Sequence, residues 1–368
     1  MTRPRVLVDT TAIPPDRGGV GRYLDGLLGA LATDDPPTVV ARADDAERYR
    51  AAGLPVIVAP RAVRSAPFRI LWEQTALPRL VRRGGFDVLH SPHYTFPLVG
   101  RFGRVVTVHD LTFFTLPERH SPAKRAFFRF WLRRAARASF PVVAVSQATA
   151  DEFSRITGAD PSRVVVAPHG FDPEVFAPPA AREIEAFGAA QQPPLERWIA
   201  FLGTIEPRKN VPALVAAHRL LDDAPALLLA GGSGWDPEAA PAIEASRAVG
   251  HDVRQLGYLP LEQLSAFLGG AELVVYPSAG EGFGLPVLEA MATGAAVLTT
   301  AELALPEVGG DAVRYSGTTP AELAAAMRAL LDTPGERERL GARARERASL
   351  FTWTRSAELH RRAFEAAA

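Results

Sequence analysis

Two glutamates eight positions apart, Glu281 and Glu289, bracket a glycine-rich turn in the stretch "YPSAGEGFGLPVLEAMATGAAVLTT", residues 276–300. Proline suits the first turn of a helix, so the spacing predicts a helix opening near Leu285 or Pro286. Glu281 then lies in the preceding loop and Glu289 about one turn inside. Carboxylates held this way reach different parts of one ligand, up to roughly 12 Å apart at a helical rise of about 1.5 Å per residue. Between them, the backbone N–H groups of Gly282, Phe283, Gly284 and Leu285 and the helix N-terminus form a place for an anion. An extended molecule with hydroxyls at both ends and negative charge in the middle fits, and a nucleotide sugar is such a molecule. A surface acid beside a helix start has the same spacing, so the pair alone does not decide.

A second cluster, "FLGTIEPRKN" at residues 201–210, reads as a strand ending near Gly203 and leading through Arg208 and Lys209 into a helix. Two cations at a strand's carboxyl end can neutralise a diphosphate and stabilise its departure. Only two of the 41 basic residues are lysines, Lys124 and Lys209, which sets Lys209 apart from a generic basic turn. In "VVTVHDL", His109 stands just past a strand, where it could meet a reacting sugar or acceptor while Asp110 orients its ring. His90 and His93 in "LHSPHY" carry a weaker signal, lone histidines being more often structural. Gly18 and Gly19 in "PPDRGGVGRY" would let backbone approach a phosphate or acceptor. Leu24 occupies the third glycine position of G-x-G-x-x-G, which argues against a dinucleotide fingerprint. No D-x-D, H-E-x-x-H or clustered His/carboxylate spacing appears, so the expectation is a site without metal, its cations replacing a divalent ion.

The elements that must position these residues are legible as short apolar runs. "RVLVDT", "PVIVA", "FDVLHS", "RVVTVHD", "PVVAVS" and "RVVVAPHG" read as strands in the first half, with "RYLDGLLGALA" as a helix. "WIAFLGT", "PALLLAGG", "VRQLGYL", "AELVVYPS", "AAVLTT" and "AVRY" form a second series, interleaved with helices such as "NVPALVAAHRLL". Near-continuous apolar strands suit parallel sheets covered by helices on both faces. The expectation is α/β: two Rossmann-like doubly wound domains facing across a cleft, one over 1–180 and one over 197–351. The Pro/Ala/Gln-rich residues 181–196 form the linker, and "SAELHRRAFEAAA" lies in a last helix, 352–368. Every candidate above falls at a strand's carboxyl end, where open α/β sheets bind ligands.

The chain's 368 residues are enough for two cores. There is no cysteine, which excludes thiolate and disulfide chemistry. No run is long and apolar enough to span a bilayer and the N-terminus enters a strand directly, so a cytoplasmic location is expected. Lys/Arg outnumber Asp/Glu by 24 to 17 in residues 1–180, and the remainder reverses this to 17 against 24. Such a division does not suit a uniform nucleic-acid binder; it suits a basic first domain facing an anionic surface or acceptor. The stretch "KRAFFRFWLRRAARA", residues 124–138, has six positive charges and no acid. A helical wheel puts Phe127, Phe128, Trp131, Leu132 and Ala135 on one face and Arg125, Arg129, Arg133 and Arg137 on the other. This suits either an anionic membrane surface or a helix packed on the sheet.

Along nearly its whole length the chain resembles the retaining glycosyltransferases of family 4, which have two Rossmann-like domains in the GT-B arrangement. "GGVGRY", "TVHDL", "VSQAT", "PHGFD", "GTIEPRKN", "GYLP" and above all "EGFGLPVLEAMATG" carry the likeness, the last being the family's E-x7-E signature. The resemblance implies that Glu281 contacts donor-sugar hydroxyls, Glu289 the ribose, and Arg208 with Lys209 the diphosphate. It implies sugar and phosphate binding by the backbone at Phe283, Gly284 and Leu285, a place for His109 near the transferred sugar, and a phosphate-covering loop at Gly18 and Gly19. It also puts Tyr258 beside the nucleobase, dispenses with a metal or other cofactor, and returns the last helix to the first domain. His169 in "PHGFD" stands where family members carry asparagine. "GGVGRY" together with "TVHDL" is most similar to bacterial mannosyltransferases that use GDP-mannose in surface polysaccharide or glycan assembly. The resemblance thus implies a nucleotide-sugar donor and a glycan, glycolipid or small-molecule acceptor as partners; the residues themselves add peripheral contact of 124–138 with an anionic membrane as one of its two readings, and no nucleic acid is expected. A nucleotide-sugar epimerase of the same architecture, or a non-catalytic nucleotide-sugar-binding subunit, would present the same motifs.

Overall fold

A computed structural model describes residues 3–13 and 18–368. The chain forms two compact units, residues 1–170 with 352–368, and residues 171–351. The first is built on seven parallel strands: β1 (Val6–Asp9), β2 (Thr38–Ala41), β3 (Val56–Val58), β4 (Val88–Ser91), β5 (Gly103–Val108), β6 (Val142–Ala144) and β7 (Val164–Val166), in the order β3-β2-β1-β4-β5-β6-β7. The second has six: β8 (Trp198–Leu202), β9 (Ala226–Ala230), β10 (Val253–Gly257), β11 (Leu273–Tyr276), β12 (Val297–Thr300) and β13 (Arg314–Ser316), in the order β10-β9-β8-β11-β12-β13. Central strands such as β1, β4, β8, β9, β11 and β12 are buried at every residue, as doubly covered parallel strands must be.

Helices pack on these sheets, among them α1 (Gly18–Ala32), α2 (Ala66–Arg83), α3 (Pro122–Ala136), α4 (Ala181–Ala189), α5 (Val211–His218), α6 (Leu285–Ala292) and α7 (Trp353–Ala367). In each sheet the chain winds one way from the first strand and then the other, which creates a switch point: β1/β4 in the first unit and β8/β11 in the second. Loops leaving the two strands diverge there and open a crevice at their carboxyl ends.

The linker needs correction. Residues 181–189 form α4, whose Phe187 packs on Trp198 and Phe267, so the segment belongs to the second unit and the division falls at Gly170/Phe171. The proline-rich composition concealed a helix with an apolar side.

Helix α7 joins the first unit. Its Trp353 covers Gly26 of α1, where any Cβ would collide with the indole, and it also meets Gly170. Ala357, Ala363 and Phe364 enter the core beside Tyr23, Leu27 and Val105.

Candidate active site

The second unit brings together three of the four residues expected to do chemistry. β8 leads through Gly203 to a 3-10 turn, Pro207–Lys209, and then through Asn210 in left-handed conformation into α5. β11 pairs directly with β8 and ends at Tyr276, from which residues 277–284 run into α6. The two loops are stitched together: Ala279 N–H donates to the Arg208 carbonyl (2.8 Å), and Arg208 Nη1 donates to the Gly280 carbonyl (3.0 Å).

Glu281 is the hub. Its Oε2 pairs with Arg208 Nη1 at 2.5 Å, and its Oε1 receives Lys209 Nζ (2.5 Å), Ser278 Oγ (2.7 Å) and the Tyr276 hydroxyl (3.0 Å). Lys209 also donates to the Tyr276 oxygen, and Arg208 Nη2 pairs with Glu206 at 2.7 Å. Lys209, Tyr276 and Glu281 are buried. Burial alone would raise the Glu281 carboxyl, but the charges of Arg208 and Lys209 and their hydrogen bonds bring it down to about 2. Burial, then Arg208, lower the Lys209 ammonium, with Glu281 opposing. Burial and the neighbouring Glu281 push the Tyr276 phenol well up. The cations expected to face a diphosphate are thus held by Glu281, which sequence spacing could not show.

Glu289 is buried on α6, which opens at Leu285. Gly284, at φ +100°, caps that helix, and a Cβ there would sit 2.8 Å from Leu305 Cδ2, so the turn requires glycine. Beside Gly282, Phe283 is buried edge-on to Phe351. In the first turn of α6, Val287 and Leu288 N–H bond back to the Gly284 carbonyl (3.0 and 3.2 Å) and Pro286 has no N–H, which leaves Leu285 N–H without an intrahelical partner. Gly203 N–H donates to the Ala230 carbonyl (2.9 Å), and Gly231 lies so close that a Cβ would strike the Gly203 carbonyl. Ile205 N–H reaches the Gly232 carbonyl (2.9 Å), and Trp235 N–H returns to Ile205 (3.0 Å). This loop, "GGSGW", was missed; its signal was three glycines in four residues directly after a strand. Tyr258, 61% exposed, covers it: a Cβ on Gly232 would lie 2.8 Å from the phenol oxygen.

The other expected residues belong to the first unit. His109 is half-buried, and its Nε2–H donates to the Pro92 carbonyl (2.8 Å), which leaves Nδ1 as an acceptor. Burial lowers its pKa, so it is neutral at pH 7. Asp110 does not orient the ring. Its Oδ1 accepts from the backbone and hydroxyl of Thr112 (3.0 and 2.7 Å), while Tyr23 and Tyr94 hold the imidazole edge-on. Gly18, at φ +47°, and Gly19 are exposed at the start of α1 with open space around them; residues 14–17 of their loop lie outside the described residues. His169, in place of the family asparagine, packs at a tilt against Tyr23 and Trp353, ring centroids 4.9 and 5.6 Å away.

His90 and His93 turn out to be parts of buried networks. His360 Nδ1–H donates to Ser356 O (2.7 Å), so its Nε2 accepts from Tyr23 (2.9 Å). Tyr23 in turn accepts from Thr107 (3.0 Å), and Thr107 from His90 Nε2–H (2.8 Å). At the β1/β4 switch point His93 Nε2 faces Asp9 Oδ2 at 3.4 Å, and its Nδ1 lies 3.2 Å from Thr95, whose hydroxyl donates to Glu73 (2.5 Å). Asp9, Glu73 and His93 are close enough to share a metal ion. Glu73 already receives Arg69 and Thr95 on one oxygen and Gln74 on the other, so its charge is met by the Arg69 guanidinium and the trio is accounted for as a buried hydrogen-bond network.

A sequence profile described as Glycosyltransferase Family 4 matches residues 17–175, and one described as Glycosyl transferases group 1 matches 184–347. O-antigen chain mannosyltransferase B of Escherichia coli is 30% identical over 72% of this chain and 71% of its own length. The chain belongs to glycosyltransferase family 4. Other relatives include the MMP alpha-(1->4)-mannosyltransferase of Mycolicibacterium hassiacum (31% identical, 74% of this chain, 68% of that one). The D-inositol 3-phosphate glycosyltransferase of Geodermatophilus obscurus is 33% identical over 77% of this chain and 67% of its own. In fold, the chain is similar to a sucrose-phosphate synthase from Thermosynechococcus elongatus, with TM-score 0.78 at 22% identity, covering 99% and 100% of the two chains. It is also similar to Anabaena HepE in complex with UDP-glucose, with TM-score 0.78 at 17% identity, covering 96% and 97%. The protein is a glycosyltransferase of the GT-B fold class.

Proposed function

We propose that this glycosyltransferase moves a hexose, mannose from GDP-mannose, to a hydroxyl of a glycan, glycolipid or small-molecule acceptor, with retention at the anomeric carbon and without a metal. The observation that carries the reading is the ion-paired Arg208–Lys209–Glu281 cluster, with Lys209 and Glu281 buried, at the β8/β11 switch point beside the N-terminus of α6. The named mannosyltransferases among the relatives support the sugar, and the UDP-glucose complex of HepE supports a nucleotide-sugar donor. The acceptor and donor are taken to meet on the cytoplasmic side.

In this reading the diphosphate takes Arg208 and Lys209 from Glu281, and the freed carboxylate accepts sugar hydroxyls. Glu289 receives the ribose, and the backbone of residues 282–285 the phosphate and sugar. Gly203 gives the backbone room beside the diphosphate, Tyr258 borders the base, and Gly18 and Gly19 approach the phosphates. His109 Nδ1 accepts from a hydroxyl of the transferred sugar. The acceptor oxygen bonds to the anomeric carbon on the face from which the diphosphate leaves, the bond from that carbon to the phosphate oxygen breaks, and that oxygen takes the acceptor's proton. Stabilising the departing charge is then the chief task of the two cations.

Thermal shift against a panel of nucleotide sugars tests the donor, because a ligand at about 100 times its Kd stabilises the native state by roughly 2.7 kcal/mol. GDP-mannose should raise Tm most. A larger rise with another nucleotide sugar and none with GDP-mannose would replace the donor. A new sugar isomer from donor alone would mark an epimerase, and absence of turnover with every donor a binding subunit.

A further inference from the structure

Helix α3 does not divide as the wheel of its sequence suggests. Trp131, Leu132 and Ala135 are buried, and Arg125 and Arg129 lie against the body, donating to the carbonyls of Pro117 and Phe113. Phe127 and Phe130, by contrast, point outward, 37% and 50% exposed, together with exposed Arg133, Arg134 and Arg137. At about 100° per residue these five side chains fall within an arc of roughly 120°. Residues 121–138 contain no carboxylate, and none of the three arginines makes an ion pair among the described residues. Ala126, Phe130 and the arginines form one continuous face of the helix.

We infer that this face docks on an anionic lipid bilayer, with Phe127 and Phe130 entering the headgroup region and Arg133, Arg134 and Arg137 pairing with lipid phosphates. A polyanion such as nucleic acid would satisfy the arginines and leave two phenylalanine rings in water. A bilayer interface takes both kinds of side chain on one arc. The whole chain has zero formal net charge, but residues 1–180, which include this face, carry 24 Lys/Arg against 17 Asp/Glu, so the field around it is basic. Among the described residues no helix is long and apolar enough to cross a membrane, so the contact is interfacial.

Sedimentation of the full chain with phosphatidylcholine vesicles, with and without phosphatidylglycerol and at low and high salt, tests the inference. The readout is vesicle binding, independent of the sugar-transfer reading. The expected result is binding to phosphatidylglycerol vesicles alone, weakened by salt. Arg133→Gln/Arg134→Gln/Arg137→Gln should reduce it on the order of 100-fold. Phe127→Ala/Phe130→Ala should reduce it about 10-fold at unchanged charge. Both variants alter exposed side chains and should keep the parent Tm and its transfer rate to a water-soluble acceptor. Absence of binding at low salt would overturn the inference. So would a phenylalanine variant that binds as tightly as the parent, since a purely electrostatic patch fits a soluble polyanion equally well.

Discussion

Glu281 accepts from four donors of its own chain, Arg208, Lys209, Tyr276 and Ser278, which uses the acceptor capacity of one carboxylate. A diphosphate must compete with it for the two cations, so Glu281 is an internal counter-anion as well as a partner for sugar. Glu281→Gln removes the competitor while preserving shape. It should bind nucleoside diphosphate several-fold more tightly in calorimetry and transfer sugar at least 100-fold more slowly, hydrogen bonds to a charged group being worth about 1.5–3 kcal/mol each. Unchanged affinity for the diphosphate would refute the counter-anion role. Lys209→Ala should do the opposite: turnover falls by roughly two to three orders of magnitude while donor affinity changes little, the signature of charge stabilisation realised as the leaving group departs. Steady-state kinetics showing a raised KM with unchanged kcat would count against it.

At the scale of elements, the sheets were legible because buried parallel strands are continuous apolar runs. The helix start at Leu285 was legible because Gly284 and Pro286 mark it locally. β2 escaped because "TVVA" runs straight into the charged stretch "RADDAERYR" with no Gly or Pro to mark its end. The networks escaped for a different reason. Nothing in sequence spacing joins Tyr23 to Thr107 and His360, residues that tertiary packing alone brings within 3.0 Å. That chain pins α7 to the first unit, and Tyr23→Phe would break it in the middle, leaving buried polar atoms of Thr107 and His360 without their partner. Such a loss costs about 1–3 kcal/mol. Urea denaturation followed by tryptophan fluorescence should report the drop, with Trp353 on α7 among the reporters. A variant as stable as the parent would mean that the network contributes nothing to docking.

Across the whole molecule, the two units lose stability to acid in different pH windows. His90, His109, His169 and His360, all in the first unit, have pKa values lowered chiefly by burial, to about 4 for His360. In the second unit only His218 shows such a lowering. These imidazoles are neutral in the fold, so the unfolded chain takes up protons first as the pH drops. The stability they contribute is complete above the ordinary value of 6.5 and is lost as the pH falls from there toward the folded pKa. For His360 alone the change from 6.5 to about 4 corresponds to roughly 3 kcal/mol. Glu281 behaves differently: held at about 2, its contribution persists until the pH drops below its ordinary 4.5 and is lost toward 2. Between pH 6.5 and 4.5, therefore, the first unit, with four such histidines, should weaken more than the second, with His218 alone. Scanning calorimetry at pH 7.5 and pH 5, read beside tryptophan emission of a Trp198→Phe/Trp235→Phe variant whose remaining indoles lie in the first unit, separates the two. The first-unit transition should move down by several degrees and the other by less; a common shift of both, or a larger one in the second unit, would show that the buried histidines do not set the acid limit.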